Sequence, residues 1–109
     1  MQKYLDIHIT IIFAAALIAT MLWPLTAQPP TPEGSDKLVH LLAFAVLALP
    51  FAISGRFGLL SVFLCTSAFG GFIEIIQPSF NRSSEFNDWV ADTIGALLGV
   101  ACGFAYRRL

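Results

Sequence analysis

The sequence predicts an all-α protein, a single four-helix bundle embedded in a membrane. Three observations carry that reading. Of the 109 residues, 57% are hydrophobic and only 12% charged, whereas a soluble domain carries about 25% charged residues to dress its surface. The mean hydropathy is +0.77. The length accommodates about four spanning helices of ~20 residues with short connections and no soluble domain beside them, and turn-forming stretches divide the chain accordingly. A formal charge of −1 offers no basic footprint, which excludes nucleic acid as a partner. Membrane lipids are the partner that composition demands.

The first apolar run, Ile7 to Leu25, reads as a spanning helix. It is long for the apolar core of a signal peptide, Asp6 and His8 sit awkwardly before one, and Leu25 is a poor small residue for a cleavage site. Trp23 suits the interface and Pro24 the helix end. The stretch from Ala27 to Asp36, AQPPTPEGSD, holds three prolines and a glycine and cannot continue a helix. Ser35 or Asp36 can cap the second helix, about 37 to 54, in which Pro50 falls in the last turn. Ser54, Gly55 and Arg56 form a tight turn. The third helix covers about 57 to 77 and is stopped by Pro78; the fourth covers about 88 to 106. One transmembrane domain, 1–109, is expected.

Basic residues in short loops mark the cytoplasmic side. With both termini cytoplasmic, Lys3, Arg56, Arg107 and Arg108 lie inside and Lys37 and Arg82 outside. Trp23 and Trp89 then mark the outer interface, Tyr4 and Tyr106 the inner one. This topology gathers the polar chemistry at the outer end: Asp36, Lys37 and His40 open the second helix, Glu74 and Gln77 close the third, and Arg82 and Glu85 lie in the loop. Asp88 and Asp92 open the fourth helix. Residues three or four apart share a helical side, so Lys37 pairs with His40, Glu74 with Gln77, and Asp88 with Asp92. An acid at membrane depth costs about 2.5 to 3.5 kcal/mol on insertion scales, and a shared polar pocket relieves that cost.

Gly95, Gly99 and Gly103 continue the Asp88 side of the fourth helix at small-x-x-x-small spacing, which admits a close neighbour. Ser67, Gly70 and Gly71 form a matching stripe on the third helix. Close packing of the fourth helix on the third along these stripes is therefore expected. Plainer roles compete for the polar residues: Lys37 can snorkel, His40 can be an interfacial residue, and Glu74 and Asp92 can be glue that fixes helix register. Asp88 and Glu85 suit loop or cap positions. Cys65 and Cys102 fall within helices and read as small apolar fillers rather than a disulfide.

Asp36-Lys37-x-x-His40, an apolar helix with Phe44, Glu74-x-x-Gln77, Arg82 and Asp88-x-x-x-Asp92-x-x-Gly95-x-x-x-Gly99 occur in that order. This set resembles the VanZ-like family of small bacterial membrane proteins, from which it departs at Asp92, where relatives often carry Asn. The resemblance implies a multi-pass protein of the bacterial cell membrane, in its namesake linked to resistance against the glycopeptide teicoplanin. Three functions are open. The first is a binding or envelope-modulating protein whose outer-leaflet pocket, built from Lys37, His40, Glu74, Gln77, Arg82, Asp88 and Asp92, engages a lipid-linked ligand. The second is a small accessory subunit packed against a larger membrane protein complex. The third is a membrane-embedded, metal-assisted hydrolase using Glu74 or Asp92 as ligand or base. His40, Glu74 and Asp92 lack close metal-ligand spacing, and Ser83 and Ser84 are the nearest approach to a nucleophile for His40. No cofactor or metal site is expected.

Overall fold

The computed structural model describes residues 4–22, 35–80 and 86–109. Trp23, Pro24, the proline-rich connector, Arg82, Ser83, Ser84 and Glu85 lie outside the described residues, as do the side chains of Ser35 and Asp36. Among the described residues the chain is all-α, with α1 Leu5–Met21, α2 Ser35–Ser54, α3 Leu59–Ile76, a 3-10 turn Gln77–Phe80 and α4 Phe86–Arg108. Segments Lys37–Ser54, Leu59–Ser79 and Phe86–Arg108 are long and apolar enough to cross a membrane, whereas α1 is shorter. Its 17 residues rise about 26 Å at 1.5 Å each, slightly less than a hydrocarbon core of about 30 Å.

The helix ends follow from local chemistry. At the end of α2, Gly55 adopts φ 70°, the left-handed conformation that closes a helix most cheaply with glycine. Its N–H donates to Phe51 O at 3.3 Å. Pro50 stays inside α2. At the other end of α3, Pro78 lacks the N–H that would bond back to Glu74 O, and the chain tightens into the 3-10 turn.

Helix α2 is the central element, packed against α1, α3 and α4 and most extensively against α4. Leu17, Met21, Phe44, Leu47 and Ile73 make one apolar core among α1, α2 and α3. Ala48, Val62 and Val100 make a second among α2, α3 and α4. The glycine stripe of α4 corrects the expected helix pairing, because it lies against α2 rather than α3. A Cβ on Gly95 would meet Leu41 O at 2.2 Å, and one on Gly99 would meet Ala45 O at 2.3 Å. At Gly103 it would meet the Ala52 Cβ at 2.4 Å. Helices α2 and α4 both start at the same end of the bundle and run parallel, so α2's own small residues, Ala45, Ala48 and Ala52, track the stripe. Sequential antiparallel neighbours are the usual choice for short connections, but here the pair of small-residue stripes decides. Gly70 and Gly71 serve α3 against α4 instead, making room for Asp92 and Trp89.

Both cysteines are exposed, so neither fills the interior as expected. The end opposite the polar residues is tied by Arg56, whose Nε donates to Asp6 Oδ2 at 2.9 Å and whose second amino group donates to Oδ1 at 3.2 Å. Arg107 there reaches Ala52 O and lies over Gly55. Arg56, Arg107 and Arg108 thus all belong to that end.

Candidate functional site

Three helices deliver polar side chains to the other end. The first turns of α2 place Lys37 and His40 one turn apart, and the first turns of α4 do the same for Asp88 and Asp92. Since the two helices run parallel, equivalent turns meet. Lys37 Nζ donates to Asp88 Oδ1 at 2.8 Å, and one turn deeper His40 Nδ1–H donates to Asp92 Oδ1 at 2.6 Å. The two pairs differ sharply in environment. The Lys37 side chain is 32% exposed, whereas His40 and Asp92 are 4% and 0%. An exposed ion pair contributes about 0 to 1 kcal/mol, whereas losing one partner of a buried pair costs about 3 to 5 kcal/mol. The deeper pair is therefore the one the fold is committed to.

The bond to the carboxylate fixes the proton on His40 Nδ1 and orients the ring. Beneath it the imidazole stacks on Phe44 at 6.5 Å between centroids, and Phe44 leans on Phe69. This aromatic floor separates the polar end from the apolar interior. Helix α3 supplies the remaining wall. Glu74 is buried, and both it and Asp88 lie within electrostatic reach of His40. Gln77 is fully buried; its Nε2 donates to Met21 O at 3.2 Å and thereby ties α1 to the site. Gly70 is the close approach that lets α3 shut over Asp92, because a Cβ there would stand 2.7 Å from Asp92 Oδ2.

Among the described residues, Asp92 Oδ2 and Gln77 Oε1 are buried acceptors with no hydrogen-bond donor. Buried acceptors of this kind are rare and cost about 1 to 3 kcal/mol each. Among the described residues, no group of three or more His, Cys, Asp or Glu side chains is arranged to hold a metal ion. The arrangement can accept hydrogen bonds and positive charge.

Of the sequence-derived site residues, the structure brings together Lys37, His40, Glu74, Gln77, Asp88 and Asp92, while Arg82 lies outside the described residues. Sequence reasoning missed the supports. Trp89, expected to mark an interface, donates its indole N–H to Ser67 O at 3.0 Å, and Ser67 Oγ shares a hydrogen bond with Thr93 Oγ1 at 2.9 Å. The spacing of Trp89 and Thr93, four residues apart on one face of α4, was the available signal. Two apolar cavities lie away from the site. One is an open groove of about 710 Å³ between α1 and α2 near Asp6 and Arg56. The other, about 280 Å³, lies among α1, α2 and α3 around Phe51 and Phe69. Neither is lined by the polar cluster, and the chemistry rests with the cluster.

Neither a curated protein nor a solved structure matches the chain. The VanZ/LLP1 family model matches residues 7–107, including the first helix, which the ordered motif set from Asp36 to Gly99 left uncovered. Membrane-spanning helices, the motif order and a match over nearly the entire length agree, and the chain belongs to the VanZ/LLP1 family.

Proposed function

We propose that this protein is a binding protein of the bacterial cell membrane that engages the polar headgroup of an envelope amphiphile between the first turns of α2 and α4 and the last turn of α3. One observation carries the reading: Asp92 is fully buried, holds His40 with one carboxylate oxygen and, among the described residues, has no donor for the other. Pure structural glue has no use for an orphaned oxygen, since an apolar or amide side chain would hold the helices at lower cost. A ligand donor satisfies it. The site belongs to the outer leaflet in this proposal, because Arg56, Arg107 and Arg108 occupy the opposite end and basic residues favour the cytoplasm. Headgroup capture there fits the envelope-modulating role that the family's glycopeptide-resistance namesake suggests.

The accessory-subunit reading draws on one feature. Large apolar side chains such as Phe72, Ile75, Leu60 and Leu97 are exposed around the bundle, and that surface suits other helices as well as lipid. Extraction in mild detergent followed by native mass spectrometry separates the two. The binding reading expects the 11.8 kDa chain to carry a small amphiphile of defined mass. A stoichiometric protein partner with no such adduct would favour the accessory reading and remove this one.

A further inference from the structure

The end of the bundle opposite the polar cluster carries an open groove between α1 and α2. Its volume of about 710 Å³ falls within the range of about 300 to 1,000 Å³ that accommodates small ligands. Its lining is sorted along the helix axis. Ile9, Val46, Leu49 and Ile53 give an apolar floor, whereas Asp6, Ser54 and Arg56 gather at one end. From Ser54 to Val46 the floor extends along α2 for about 12 Å at 1.5 Å per residue, which leads from headgroup level nearly to the middle of a hydrocarbon core of about 30 Å. That is the reach of one leaflet's acyl chain.

We infer that this groove holds an anionic phospholipid, with one acyl chain laid along α2 and the phosphate at the arginine end, as a second site separate from the polar end. Charge selects the headgroup. Arg56 is held by Asp6, and the pair presents its guanidinium more than its carboxylate, the side chains being 28% and 8% exposed. Arg107 lies against Gly55, the residue before Arg56, and Arg108 follows it; both are exposed. Arg107 reaches the Ala52 carbonyl and Arg108 the Phe104 ring, both neutral groups. The other acids among the described residues, Glu74, Asp88 and Asp92, belong to the opposite end, so positive charge is in excess here. A phosphodiester brings negative charge and acceptor oxygens that match a guanidinium fork. A zwitterionic headgroup offsets that gain with its own ammonium, and a free phosphate leaves the apolar floor uncovered. An anionic phospholipid answers both parts of the groove, as basic pockets between spanning helices do for anionic lipid elsewhere.

The test uses the full chain in maltoside detergent, titrated with a phosphatidylglycerol and with a phosphatidylcholine of the same chains, with bound lipid counted by native mass spectrometry and inorganic phosphate added as competitor. Phosphatidylglycerol is expected to bind about tenfold tighter than phosphatidylcholine. Arg107→Gln combined with Arg108→Gln is expected to abolish that preference while phosphatidylcholine still binds. Val46→Trp, at a half-exposed position of the floor, fills the groove and is expected to weaken both lipids; it also serves if the double variant fails to fold. Neither variant touches the polar end, so an amphiphile held there is retained in both and the two sites fail separately. Equal affinity for the two lipids would overturn the anionic assignment. A preference undiminished in Val46→Trp would place the lipid on the arginines without the groove and overturn the site. Displacement of phosphatidylglycerol by excess inorganic phosphate would show a phosphate site rather than a lipid site and overturn it as well. Failure of both lipids to bind would remove the inference outright.

Discussion

At the residue scale Asp92 is the pivotal side chain of the polar end, fully buried and bonded to His40. Replacing it with Ala leaves His40 Nδ1–H buried without its carboxylate and opens space beside Gly70, and the expected loss is about 3 kcal/mol, at the lower bound for a broken buried pair. Asp92→Asn retains the acceptor toward His40 and is expected to cost about 1 kcal/mol or less. Lys37→Met, at the partly exposed pair, is expected to cost under about 1 kcal/mol. Reversible unfolding of the three variants in detergent checks the order; equal losses for Lys37→Met and Asp92→Ala would contradict the difference in burial. Much at this scale was legible in the sequence. The spacings 37/40, 74/77 and 88/92 already place each pair of residues on one helical side, and the cost of an acid at membrane depth already marks Asp92. Which acid meets which base was not legible, because that depends on the register between α2 and α4, which no local spacing encodes. Gly70 as the space beside Asp92 was hidden for the same reason.

At the scale of elements, the parallel contact of α2 and α4 positions the site. A side chain at Gly99 meets a backbone carbonyl of α2, and a backbone cannot rotate away as a flexible side chain can. Gly99→Leu is therefore expected to separate α2 from α4 and to cost at least the 1 to 3 kcal/mol of about one or two methylenes of overpacking. Leu97→Ala, on the exposed side of α4, is expected to be nearly neutral. Thermal stability in detergent compares them, and indistinguishable melting temperatures would remove the close-packing argument. The small-residue stripe was plain in the sequence, but its partner was misread. Short connections favour consecutive neighbours, and the competing signal, Ala45, Ala48 and Ala52 on α2, is only weakly distinct in a helix rich in alanine and leucine. Shifting the pairing from α3 to α2 has a functional consequence. It aligns the first turns of two parallel helices, and so stacks Lys37–Asp88 above His40–Asp92.

For the whole molecule, composition settled the all-α membrane class, and the motif order indicated the family. The proposed orientation is tested by single cysteines in intact cells on a background with Cys65 and Cys102 replaced, since both native thiols are exposed. Labelling by an impermeant reagent is expected at position 31 and absent at position 56; the reverse would invert the topology. The central claim is that the polar end binds a ligand rather than merely gluing helices, and binding and stability separate in one variant. The deciding measurement follows amphiphile retention by native mass spectrometry and the melting temperature of Asp92→Asn, side by side with the unaltered protein. The variant is expected to melt within a few degrees of the parent yet to lose the bound amphiphile. Retention of the amphiphile by a stably folded Asp92→Asn would contradict it.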